Sequence, residues 1–117
     1  MEAKFILSKK VLREQIKKLE DLGLKISYSY KTNRIVGKVL QEIEEGKNIF
    51  FSIHSKEEIE KIKDKNKIWF FNQAESEKEL KELLEKGIKN FVIDNEVDFE
   101  NFLNIIEEAK TKINLYL

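Results

Sequence analysis

Cysteine and proline are absent from these 117 residues, and the chain holds one histidine, one tryptophan and four glycines. Without cysteine there is no disulfide, no Cys-ligated zinc or iron–sulfur centre and no thiol nucleophile. A single imidazole, His54, argues against His-rich metal sites and a Ser-His-Asp triad, so no metal is expected. A charge surplus is missing as well: 22 Lys+Arg balance 22 Asp+Glu. General polyanion binders need a basic excess to neutralise phosphates, and only Arg13 and Arg34 carry guanidinium groups, so nucleic acid is not an expected partner. No apolar run approaches the roughly 18 residues of a membrane span, and no signal-peptide core opens the chain. The expectation is a cytoplasmic protein with no membrane partner.

What is present is a regular alternation over a length that suits one domain, residues 1–117. Phe5-Ile6-Leu7 is a short apolar run ending at Ser8, a helix N-cap. Val11, Leu12, Ile16, Leu19 and Leu22 recur at helical spacing, and Gly23 follows where a helix-terminating glycine belongs. Leu24 to Tyr30 reads as a strand. Arg34 to Glu45 reads as a helix with Ile35, Val39, Leu40 and Ile43 inward, closed by Gly46. Ile49 to Ile53 is the next strand. Ser55-Lys56-Glu57-Glu58 is a capping-box pattern before a helix that buries Ile59 and Ile62. Ile68 to Phe71 is a strand, and Ser76 caps a helix through Lys86 with Leu80, Leu83 and Leu84 inward and Gly87 behind it. Phe91-Val92-Ile93 is a strand ended by Asp94. Val97 to Ala109 is a helix with Phe99, Phe102, Leu103 and Ile106 inward, and Ile113 to Leu117 is the last strand.

Apolar strands alternating with amphipathic helices predict an α/β fold with a parallel sheet. Two architectures satisfy that pattern: a partial (half) TIM barrel, and a flavodoxin-like five-stranded sheet. Both place ligands beyond the carboxyl ends of the strands, which directs attention to Lys31-Thr32-Asn33, His54-Ser55, Asn72-Gln73 and Asp94-Asn95.

Lys31 follows a strand expected to be buried, where an amine with its stem in an apolar wall can serve Schiff-base chemistry. In so Lys-rich a chain it also reads as a solvated strand-end lysine. His54 can stack on a flat ligand or act as an acid or base near neutrality, and it also reads as a loop residue before a capping serine. Asn33 reads as the cap of the next helix, and Asp94-Asn95 as a turn opening another. The pairs Glu44-Glu45, Glu57-Glu58 and Glu107-Glu108 alternate with lysines and read as solvated helix faces. Phe50, Phe51, Trp69, Phe70 and Phe71 alternate across the sheet and are expected to be mostly core. A glycine-rich phosphate loop is absent. Lys31 and Asn72 stand where a phosphorylatable receiver would carry its acidic residues.

Taken in order, these segments resemble the N-terminal part of the fold-type III PLP-dependent decarboxylases, the alanine racemase-like barrels of the diaminopimelate, ornithine and arginine decarboxylase family. Tyr28-Ser29-Tyr30-Lys31-Thr32-Asn33 is similar to the family's "YAVKAN" or "YSYKTN" strand, and Ile35 to Leu40 to its "NPAVLKLL" helix. Phe51-Ser52-Ile53-His54-Ser55-Lys56-Glu57-Glu58-Ile59 resembles "FDVASxGEI", with Ser52 in place of the Asp. Phe70 to Ser76 resembles "FANPxKS", with Gln73 and Glu75 in place of Pro and Lys. Phe91-Val92-Ile93-Asp94-Asn95 resembles "FVVDS".

The resemblance implies that Lys31 is the lysine that forms the Schiff base with pyridoxal 5'-phosphate. It also implies that His54 lies in the cofactor-binding region and that an amino acid is the substrate of the complete enzyme. The family's later arginine, ring-stacking histidine, glycine-rich phosphate loop, pyridine-pairing Glu and β-domain have no counterpart in these residues. The expectation is therefore a half-site inactive alone, or a non-catalytic half-barrel that binds or assembles. Open sheet edges and uncovered apolar side chains predict a homo-oligomer, a dimer for instance, or a second polypeptide supplying the rest. Tyr28, Phe51 and Phe71 are the wall expected to be buried in such a contact.

Overall fold

The computed structural model describes residues 8–43, 49–110 and 112–116. Among the described residues, five strands and five helices follow in chain order. They are α1 (Lys9–Asp21), β1 (Ile26–Ser29), α2 (Arg34–Glu42), β2 (Ile49–Ile53), α3 (Lys56–Ile59), β3 (Ile68–Asn72), α4 (Glu77–Glu85), β4 (Asn90–Ile93), α5 (Glu96–Ala109) and β5 (Asn114–Tyr116). A 3₁₀ turn, Lys65–Lys67, leads into β3. The expected strand at Phe5-Ile6-Leu7, the helix end at Glu45 and Gly46 lie outside the described residues.

All four strand pairings are parallel, and the sheet order is β1-β2-β3-β4-β5. A flavodoxin-like sheet reverses direction and has order 2-1-3-4-5. The observed order never reverses, which is the strand order of a partial barrel. Right-handed connections that always advance one strand in the same direction put their helices on one face of the sheet.

Burial along the strands follows from that one-sided covering. Strands β2 and β3 each alternate between buried and half-buried residues. Ile49, Phe51, Ile53, Ile68, Phe70, Phe91 and Ile93 face the helices and are buried with Ile59, Ile62, Leu80, Leu83 and Phe102. Ring contacts tie the layers: Phe70 meets Phe91 edge-on at 6.4 Å, and Phe91 meets Phe102 at 4.9 Å. The opposite face carries Ser27, Ser52, Trp69, Phe71, Val92 and Tyr116, which line a shallow groove of about 200 Å³.

The expected Tyr28/Phe51/Phe71 wall is therefore corrected. Register pairs Tyr28 with Phe51 and Phe51 with Ile68, so those residues share the helix-covered face. Phe71 has the opposite parity and stands on the bare face, because side chains alternate with period two.

Ser8, Asn33, Ser76 and Asn95 cap their helices as their positions predict, each accepting a backbone N–H. Gly23 and Gly87 terminate helices at φ 75° and 91°. Ser55 departs from the pattern, since its side chain makes no capping bond and α3 is a single turn. Glu58 is buried rather than solvated, and Ile62 is buried although it lies past the helix end. Ile35, expected inward, is 71% exposed, and Leu103 gives way to Ile105 on the inner face of α5. Along α1 only Ile16 is buried, while Val11, Leu19 and Leu22 remain exposed.

Among the described glycines, Gly37 alone is set by close approach. An added Cβ would lie 2.6 Å from two ring carbons of buried Tyr30.

Candidate functional site

The carboxyl ends of parallel strands in sequential order form a continuous rim, and the expected residues fall along it. At β1, Thr32 N–H donates to the Ser29 carbonyl at 3.1 Å, closing a tight turn with Lys31 at its bend. The Tyr28 hydroxyl donates to the Asn33 carbonyl at 3.0 Å, and Asn33 Oδ1 accepts from the N–H groups of Ile35 and Val36. Burial raises the Tyr28 phenol above its ordinary pKa, against the smaller effect of that hydrogen bond. This loop is thus pinned at both ends around Lys31, whose side chain is exposed rather than set in an apolar wall.

His54 lies next to it. Ser29 and Ser52 are register partners, and Lys31 and His54 each lie two residues beyond them. The imidazole stacks on Phe71 with ring centroids 4.3 Å apart and planes 24° from parallel. Burial lowers the His54 pKa first, the nearby Lys31 charge lowers it further, and Glu58 opposes both. Desolvation and a neighbouring cation both disfavour imidazolium, so this histidine is held toward the neutral form. Its ring stacks on the protein's own Phe71, which uses one of its two faces.

Glu58, four residues after His54, is a member of this site that the capping-box reading concealed. Its Oε2 is buried without a hydrogen-bond partner. The signal available in the sequence was its spacing from His54 at the start of a helix too short to expose every position.

Beyond β3 the rim changes character. Asn72 is buried with the helix-facing residues, and its Oδ1 has no partner. The following loop is held by carboxylates: Gln73 N–H donates to Glu75, and Ala74 N–H, at φ 54°, donates to Asp98 Oδ2 at 3.1 Å. Burial raises the Glu75 carboxyl above its ordinary pKa, against the Gln73 hydrogen bond. Asn95 accepts from Asp98 N–H and donates to Asp98 Oδ2, while Asp94 is exposed and accepts from Asn95. Asp94 and Asn95 therefore serve the turn and cap of α5. The rim brings Lys31 and His54 together at β1 and β2 and leaves Asn72 and Asp94 apart from them.

Among the described residues, no group of three or more His, Asp or Glu is placed to hold a metal ion, and no helix is long and apolar enough to cross a membrane. Comparison with protein-family models, with curated proteins and with solved structures gives no match to this chain.

Proposed function

We propose that this chain is the lysine-bearing N-terminal half of a PLP-dependent amino-acid decarboxylase-type barrel, with Lys31 the cofactor amine and His54 beside the cofactor ring. The observation that carries this reading is the pairing of an exposed amine and a stacked, preferentially neutral imidazole at one rim of a sequential parallel arc. The described residues fit pyridoxal phosphate in part. Lys31 suits the aldehyde, and the His54–Phe71 stack offers a flat edge for the ring, whereas the groove below is apolar and uncharged and does not suit a phosphate. Phosphate contacts and the pyridine partner then come from residues outside this chain, so the chain alone is inactive.

Bound there, the cofactor supplies an electron sink for the bonds at an amino acid's α-carbon. The protein's own contribution is positional. Tyr28 and Asn33 hold the loop that carries the Lys31 amine at the carboxyl end of β1. His54, kept toward its neutral form, has a ring nitrogen free to accept a proton beside Lys31. A second reading is a non-catalytic binding or assembly half-barrel, favoured by the apolar groove of Trp69, Phe71, Val92 and Tyr116.

Borohydride reduction in the presence of PLP, followed by peptide mapping of the pyridoxyl label, decides between them. Label concentrated at Lys31, with loss of the associated absorbance in Lys31→Ala, is the expected result. Label spread over the surface lysines and unchanged in Lys31→Ala would refute the cofactor reading and leave the assembly module.

A further inference from the structure

The geometry points to a second copy of this chain as the partner of the bare sheet face, with β5 of each copy pairing in parallel with β1 of the other so that two arcs close into one barrel. This inference rests on the assembly reading rather than the cofactor reading, since the second copy takes the place of the barrel's other half.

The first support is surface area. A compact monomer of 13.9 kDa exposes about 6,700 Å², whereas this chain exposes 8479 Å². The excess of about 1,800 Å² is more than the roughly 800 Å² per partner that a standard stable interface covers. The fold is also spread out. Its Cα radius of gyration is 16.2 Å and its thinnest dimension 24 Å, where a compact domain of this length has a radius of about 13 Å. A sheet with one helix layer and nothing opposite contributes to both numbers, together with the loosely packed α1.

The second support is the chemistry of the bare face. Ser27, Ser52, Trp69, Phe71, Val92 and Tyr116 include no charged residue, and the whole chain has formal net charge zero. Two copies can therefore bring these faces together without like-charge repulsion. The strand sequences Ile49-Phe50-Phe51-Ser52-Ile53 and Ile68-Trp69-Phe70-Phe71-Asn72 carry large apolar residues on both parities, as strands buried on both faces do, with Ser52 and Asn72 the polar members. One face is covered within the chain, and the other is not. Tyr116 on β5 is 66% exposed.

Symmetry supplies the third. Among the described residues β1 and β5 are the two edges of the sheet. A two-fold axis parallel to the strands keeps strand direction unchanged, so β5 beside β1 of the second copy forms a parallel ladder, and the same contact repeats on the other side. That operation turns both bare faces inward and leaves no sheet edge open. Barrel diameter grows with strand number. A ten-stranded closure is wider than the eight-stranded barrel filled by Val, Ile and Leu, and the larger Trp69, Phe71 and Tyr116 suit that interior.

Sedimentation and light scattering over a wide concentration range test this on the full chain. Trp69, the single tryptophan, reports burial of the face by its emission. The expected result is a dimer of twice the chain mass, with Trp69 emission shifting to the blue as dimer forms. Val92→Glu and Tyr116→Glu, both on the bare face, should each raise the dimer dissociation constant about 100-fold or more, since like charges then meet across the axis. Leu103→Glu, on the outer side of α5, should leave it unchanged. Far-UV circular dichroism identifies any variant that fails to fold, and the other bare-face variant then provides the reading. A monomer at every concentration would overturn the inference. So would a dimer that survives both bare-face charges, or mass that grows without limit as arcs chain into open filaments.

Discussion

Replacing Gly37 by alanine pits two opposed effects against each other within α2, and the structure decides the sign. In an exposed helix interior alanine is favoured over glycine by about 1 kcal/mol. Here the new methyl would sit 2.6 Å from Cδ2 and 2.6 Å from Cε2 of Tyr30, against an ordinary carbon–carbon contact of about 3.5–4.0 Å. The tyrosine ring must retreat by about 1 Å to restore that spacing. It has little room to do so, because Tyr30 is 4% exposed and its ring meets Phe51 edge-on at 6.3 Å, with Phe51 itself 2% exposed. Overpacking of this kind costs about 1–3 kcal/mol. A clash with two atoms of an immobile ring belongs at the upper end of that range, so the expected net loss is about 1–2 kcal/mol after the helix gain. Urea unfolding followed by circular dichroism measures it, and the melting temperature should fall by about 4–8 °C. Tyr30→Leu removes the clashing ring at the cost of a cavity, so Gly37→Ala added to it should cost less than it does in the parent chain. With the clash fully relieved, the double variant should fall short of additivity by about 2–3 kcal/mol. If Gly37→Ala proves as stable as the parent, or the two changes add, the close approach does not constrain this helix.

Two further perturbations test other parts of the structure. By NMR titration His54 should protonate below the ordinary histidine range, and Lys31→Met should move it only part of the way back, since burial is the larger cause. A base with a depressed folded pKa binds fewer protons when folded, so the stability at stake is fully present above the unfolded value near 6.5 and is lost as pH falls below it and through the lower folded pKa. An unshifted His54 resonance, or stability unchanged when His54→Gln is compared with the parent across that window, would refute the assignment. At the other end of the sheet, Asn90 Nδ2 donates to the carbonyls of Asn66 and Ile68, and its Oδ1 accepts from Asn114. Asn90→Ala leaves these groups unpaired next to buried Ile68 and loosens β5, at an expected cost of about 2–3 kcal/mol; a change within the measurement error of urea unfolding would show that water replaces the asparagine.

Much of the architecture was legible in the residues themselves, since local signals governed it. Helices end at Gly23 and Gly87 because a backbone at positive φ favours glycine, and they begin at Ser8, Asn33, Ser76 and Asn95 because short polar side chains satisfy free N–H groups. The alternation of elements and the placement of Lys31 and His54 beyond strand ends needed nothing further. Strand order, by contrast, is a property of which edges meet, and the same periodicity suits a doubly wound sheet or a barrel arc; only the pairing of β1 with β2 at one edge decided it. The face of a strand is likewise invisible when both parities are apolar, which is why Tyr28 and Phe51 belong with the helices while Phe71 and Trp69 stand bare. Glu58 and Ile35 exchanged their expected environments for the same reason: burial depends on what packs opposite a position, and a four-residue α3 and the rim of α2 present different neighbours from those that ideal helices would. The sequence determined the elements and their chemistry through local physics, and the tertiary structure decided which faces are covered and which are left open.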